Sequence, residues 1–322
     1  MRLALVLALV ATPALSDVTK ALDSHVLPGH AGLVAATKEL ADAAQADCTP
    51  DAVKPSFHTA YDAWIRISHV QFGPIEDQGL SLAMSFWPDP KDSTAKALAR
   101  LTSAQDAIVD DPSTFGEVSA AAQGFTAMER LLFDPQPDAA YACKLTQAVA
   151  LGLANKASAI NAAWPEFADL MRGAGGDSNT RFQSEEEAQR ALYTALSTGL
   201  EFMHDQRLGR PLGTFDRPRP RRAEARRSER SLRHIQISLA ALEELALSLT
   251  DGALTETRLA FAEARTRADE LNDPALEGVA DPAKRFKVEV LQRAVNDVRN
   301  AINTEIGKPL GITAGFNALD GD

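Results

Sequence analysis

Cysteine is nearly absent. Only Cys48 and Cys143 occur among 322 residues, and the lack of C-x-x-C and C-x-x-C-H removes a thioredoxin-type redox motif and covalent c-type haem. Apolar and polar residues seldom alternate over more than four positions, which argues against a sheet protein. Past the N-terminus no apolar run approaches the roughly 20 residues that span a bilayer, so no transmembrane segment is expected. H-E-x-x-H, G-x-S-x-G and the P-loop are all missing, which leaves standard zinc-peptidase, serine-hydrolase and nucleotide-binding readings without a motif.

What is present is ordinary for a globular chain: 45% apolar and 24% charged residues, in a length that suggests about two domains. A formal charge of −11 makes general binding of nucleic acid unfavourable, so no nucleic-acid partner is expected. The first sixteen residues read as an export signal: Arg2, an apolar run from Leu3 to Ala11, Pro13, then Ala14-Leu15-Ser16 ahead of Asp17. A periplasmic protein beginning near Asp17 is the expectation. In that oxidising compartment an isolated cysteine pair reads as one disulfide, Cys48 to Cys143.

Helical spacing dominates the remainder. Phe57, Tyr61, Trp64 and Ser68 form one stripe, Ala97, Leu101, Ala104 and Ile108 a second, and Val118, Ala122, Phe125, Met128 and Leu132 a third. Pro28-Gly29 is expected to open a helix running to about Asp47, and Thr49-Pro50-Asp51 another that stops at Gly73-Pro74. Asp92-Ser93 and Asp111-Pro112-Ser113 cap the next two. After the Pro-rich break 134–138, helices are expected at about 138–171, 184–205, 228–249, 254–271 and 284–305, with a Gly-rich loop over 173–179. The chain reads as all-α, two helical bundles over 17–136 and 137–322. A weak repeat of Gln71-Phe72-Gly73-Pro74 and Arg207-Leu208-Gly209-Arg210-Pro211-Leu212-Gly213 suggests duplication.

Lysine is missing where cationic charge is densest. From Arg207 to Arg233 there are ten arginines and three acids, a net +7 within an acidic chain. Arginine pairs bidentately with carboxylates, so intramolecular bridges to acidic residues are the first expectation, and docking of a partner the second.

Two constellations carry chemistry. Glu201 and His204 have the Glu-x-x-His spacing of carboxylate-bridged di-iron bundles, but such sites need two copies and further glutamates; otherwise His204 simply occupies a polar last turn. Glu129 sits on an otherwise apolar helix with Thr126 three positions earlier, so both can face one site. A carboxylate there needs a cation or several donors, and Arg66 or the Arg-rich segment are the candidate cations.

Several short motifs, taken in order, resemble the imelysin family: His25-Val26-Leu27-Pro28, Trp64 with Gln71-Phe72-Gly73-Pro74, Phe86-Trp87-Pro88-Asp89, Arg210-Pro211-Leu212-Gly213, and the ending Gly315-Phe316-Asn317-Ala318-Leu319-Asp320-Gly321-Asp322. The resemblance implies a duplicated four-helix-bundle architecture, a site between the bundles, a link to iron uptake or regulation, and a metallopeptidase label. The family signature G-x-H-x-x-E, held to bind a divalent metal or iron, falls on Gly124, Thr126 and Glu129. Threonine replaces the signature histidine, and its hydroxyl is a poor ligand for iron or zinc beside imidazole. His25 and His69 are the candidate replacements beside Glu129, and Trp64, Phe72, Phe86 and Trp87 are expected to pack around the site. The leading expectation is a non-enzymatic periplasmic binding protein, working with an envelope or iron-uptake partner; a metal-dependent peptidase using Glu129 and an envelope scaffold are the alternatives.

Overall fold

A computed structural model describes residues 18–111 and 114–312. The export signal, the Pro112-Ser113 part of one expected cap and the Phe316-to-Asp322 ending lie outside the described residues. Among the described residues there is no β-strand, and no helix is long and apolar enough to cross a membrane.

The chain opens with α1 (Val18–Ala21), which continues through a π turn (Leu22–Val26) into α2 (Leu27–Ala46). Pro28 therefore does not begin the helix, as its sequence position suggests. Proline lacks an N–H and crowds the carbonyl four residues back, and the wider π turn immediately upstream lets the helix run past it. Next come α3 (Pro50–Ile67), α4 (Leu80–Met84) and α5 (Ser93–Ala104). The α5 start is held by Asp89, whose carboxylate accepts the Ser93 and Thr94 backbone N–H groups, both at 2.8 Å. Its buried face is Thr94, Leu98 and Leu101, and Ala104 is exposed.

The stripe from Val118 to Leu132 does not form one helix. Short 3-10 turns (Phe115–Glu117, Ala120–Ala122) precede α6 (Gly124–Phe133), because Gly124 adopts φ +74° and breaks the run. A Cβ there would lie 2.4 Å from the Met84 carbonyl oxygen. Gly124 thus allows the start of α6 to sit directly on the end of α4.

α7 (Ala139–Arg172) begins where Asp138 accepts the Tyr141 N–H at 3.0 Å. It packs mainly on α2 and α6, and the Cys48–Cys143 disulfide fastens it to the end of α2. Although α7 follows the Pro-rich break, packing places it with α2, α3 and α6, so this group of helices extends to Arg172. After the Gly-rich loop, α8 (Glu185–Phe202) runs through a π turn (Met203–Leu208) into α9 (Gly209–Leu212). An irregular Arg-rich segment leads to α10 (Ser231–Ser248), α11 (Thr255–Asp269) and α12 (Pro282–Ile302). α8, α10, α11 and α12 pack on one another, and α10 also packs on α3 of the first group.

Phe57, Tyr61 and Trp64 are buried, as their spacing predicts. Tyr61 stacks on Phe125 with ring centres 4.7 Å apart. This pair joins α3 to α6 next to the Thr126–Glu129 face.

Candidate functional site

The start of α6 stands against the Arg-rich segment. Glu129 is 4% exposed, and its Oε1 accepts from the Ser228 backbone N–H at 2.9 Å and from the Ser228 hydroxyl at 2.7 Å. Among the described residues neither Arg66 nor another cation pairs directly with Glu129; Arg66 reaches Glu244. Ser228 lies in a turn where Ala225 and Glu229 both have positive φ and the Arg230 N–H returns to the Ala225 carbonyl at 2.9 Å. This turn points backbone and side-chain donors at one carboxylate oxygen, which meets the cost of burying it.

Thr126 Oγ1 lies 3.3 Å from Ser85 Oγ, which is 3.4 Å from the Tyr61 hydroxyl. Thr126, Ser85 and Tyr61 thus make a run of three hydroxyls. Burial, with the nearby Glu224 and Glu129 charges, pushes the Tyr61 phenol well above its usual range, so it stays protonated as a donor.

A second buried cluster adjoins. Glu224 Oε2 accepts from Arg207 Nε at 2.7 Å and lies 3.1 Å from His234 Nδ1, while Arg207 Nη1 donates to Ser238 Oγ at 2.6 Å. Burial would raise the Glu224 carboxyl, but the Arg207 and His234 charges and hydrogen bonds hold it down at about 2. The Arg207 guanidinium also lies over the Phe202 ring.

Two cavities flank these groups. One of about 790 Å³ is lined by Trp64, His69, Phe72 and Trp87 on the side of the first helix group and by Phe202, Arg207 and Glu224 on the other. The second, about 280 Å³, is walled by Tyr61, Thr126, Glu129 and several arginines, and shares Trp87 with the first. Trp64, Phe72 and Trp87 are thus brought to the cleft between the helix groups. Phe86 is half-buried and lines neither cavity.

The expected metal ligands do not converge on Glu129. His25 and His69 face each other, Nε2 to Nε2 at 2.9 Å, with His25 Nδ1 3.5 Å from Glu244. Burial, then the neighbouring His25, Arg207, His30 and Arg66, lower the His69 imidazole well below its usual range. Glu201 is directed to Arg299 at 3.5 Å and His204 to Asp205, so the two side chains of the Glu-x-x-His pair turn to different partners. Among the described residues no three His, Cys, Asp or Glu side chains gather to hold an ion. With a threonine hydroxyl at the signature position and Glu129 Oε1 committed to Ser228, the donor set does not fit the family metal.

Ser228 and the Arg207–Glu224–His234 cluster carry no local sequence signal. Their partners are distant in the chain, and only the surplus of arginines pointed to this segment. The expectation of intramolecular bridging holds for part of it: Arg227 Nε donates to Asp134 at 2.8 Å, while Arg230 and Arg233 both pair with Asp62.

The sequence model of the imelysin family, Peptidase_M75, matches residues 26–302. The chain belongs to the imelysin family. Among solved structures it is similar to an imelysin-like protein from Psychrobacter arcticum 273-4, with a TM-score of 0.75 and 20% identity over 93% of this chain and 96% of that one. It is also similar to a protein named as a putative iron-regulated protein A precursor from Parabacteroides distasonis ATCC 8503, with a TM-score of 0.71 and 12% identity over 89% and 92% of the two chains. These likenesses show the all-helical imelysin fold. No curated protein matches the chain.

Proposed function

We propose that this imelysin is a non-enzymatic binding protein of the bacterial periplasm, acting in iron uptake or iron regulation, with its ligand site between the two groups of helices. The observation that carries this reading is the state of the signature carboxylate. Glu129 accepts two hydrogen bonds from Ser228 on one oxygen and has a hydroxyl, Thr126, in place of an imidazole. A group held in this way braces the Arg-rich segment on α6 through one oxygen, and the neighbouring threonine hydroxyl gives it no imidazole partner for a transition metal. The cleft beside it supports the reading, because a concave site of about 790 Å³ with aromatic walls and a few fixed polar groups at one end suits a small-molecule ligand. The family and the name of the Parabacteroides relative supply the iron link.

The test is a calorimetric titration of the purified protein and of Glu129→Ala with iron, zinc and copper salts, alongside expression measured with and without iron limitation. The reading predicts the same metal response in both proteins and expression that changes with iron. Tight one-to-one metal binding lost in Glu129→Ala would replace it with the metal-dependent enzyme; expression indifferent to iron would remove the iron role.

A further inference from the structure

Carboxylates answer only part of the Arg-rich segment. Arg207, Arg227, Arg230 and Arg233 are paired with Glu224, Asp134 and Asp62. Arg210, Arg221, Arg222 and Arg226, which line the cavity of about 280 Å³, have no paired carboxylate among the described residues. Arg210 reaches only the neutral Gln206 amide oxygen, at 3.2 Å. Arg221 and Arg222 are exposed and have no carboxylate partner among the described residues. Arg226 is half-buried, and its Nε is enclosed without a hydrogen-bond partner.

The acids on the same wall are already engaged. Asp89 accepts the Ser93 and Thr94 N–H groups, Asp92 pairs with Arg130, and Glu129 accepts from Ser228. Neighbouring guanidiniums act on two of them: after burial, Arg222 lowers the pKa of Arg210, and Arg227 and Arg221 lower that of Arg226, which the Glu129 and Asp134 carboxylates raise without a direct pair. A guanidinium Nε shut off from water without a hydrogen-bond partner is costly, and the natural compensation is an anion with several oxygens that accepts planar N–H pairs.

We propose that this cavity is an oxyanion site, taking a ligand with clustered carboxylate or phosphate charge on Arg210, Arg221, Arg222 and Arg226. The Tyr61 and Thr126 hydroxyls line the same cavity and add neutral donors. Trp87 lines both this cavity and the larger aromatic cleft, so an anionic group seated among the arginines can carry an apolar body on the cleft side. This goes beyond the iron-associated reading and needs no metal.

The purified protein is titrated in a calorimeter, free of added metal and at physiological salt, with inorganic phosphate and separately with citrate. One-to-one binding of at least one anion is expected, and which anion binds separates a phosphoryl from a polycarboxylate ligand. Affinity should fall about tenfold or more in the Arg222→Gln/Arg226→Gln double variant, the scale of losing a charge-assisted pair. Because Arg226 is half-buried, Arg222→Gln alone, at an exposed position, is the arm that cannot be attributed to misfolding; it should weaken binding by about threefold or more. Lys38→Gln, a cation of the exposed Lys38–Asp42 pair on α2, should leave binding unchanged. No binding of either anion, or binding unchanged in both arginine variants, overturns the proposal, and because no metal enters the titration the iron reading is tested separately.

Discussion

Gly124 is the residue whose replacement has the clearest consequence. Its φ of +74° is strained for any L side chain, and an added Cβ would meet backbone carbonyls of Ala83 and Met84 at 2.6 and 2.4 Å, where nothing flexible can give way. Gly124→Ala is expected to lower stability by about 3 kcal/mol or more, read from the urea midpoint. His30 makes a different prediction. It is 1% exposed, both ring nitrogens lack partners, and it stacks on Trp164 with ring centres 5.0 Å apart. Burial, then the nearby His25, lower its pKa from 6.5 to about 3. The unfolded chain therefore takes up a proton below about 6.5 that the folded chain refuses until about 3, so stability present above this window is lost as pH falls through it. His30→Phe should flatten the decline of unfolding free energy between pH 7 and pH 4, read from urea midpoints, by up to about 1.4 kcal/mol per pH unit; an unchanged slope would mean that His30 does not contribute.

At the scale of elements, helix ends with a strong chemical stop were legible. The helix expected over 138–171 is α7 (Ala139–Arg172), with Asp138 as its cap, and the last three helices begin and end within a few residues of their expected places. The errors came where a backbone exception overrode periodicity: Gly124 at positive φ cut one apolar stripe into turns and a helix, and a π turn carried a helix past Pro28. Neither exception alters the spacing of apolar residues, which is all that a periodicity reading sees. The disulfide fastens α7 to α2 across 94 intervening residues. Loop-closure entropy makes it worth about 4 kcal/mol; Cys48→Ser should lose about that much in denaturant unfolding, and the wild-type protein should lose the same amount on reduction.

For the whole molecule, periodicity was enough to put Glu129 and Thr126 on one face, and of the four expected aromatics only Trp87 lines their cavity; periodicity could not supply their partners. Ser228 is 99 residues from Glu129, and Asp62, the partner of Arg230 and Arg233, is 168 and 171 residues from them. Only folding brings the Arg-rich segment across to α3 and α6. The resulting contacts use the Glu129 carboxylate to tie α6 to the Arg-rich segment, beside the cleft where the ligand site is proposed.

The most direct measurement of that account is peptide cleavage. Purified protein and Glu129→Ala are incubated in parallel with a mixed peptide library, with and without added zinc or iron, and the products are read by mass spectrometry. The account predicts no cleavage that depends on Glu129, so both proteins leave the same peptides intact. Cleavage by the wild-type protein that disappears in Glu129→Ala, while that variant stays folded, would contradict it.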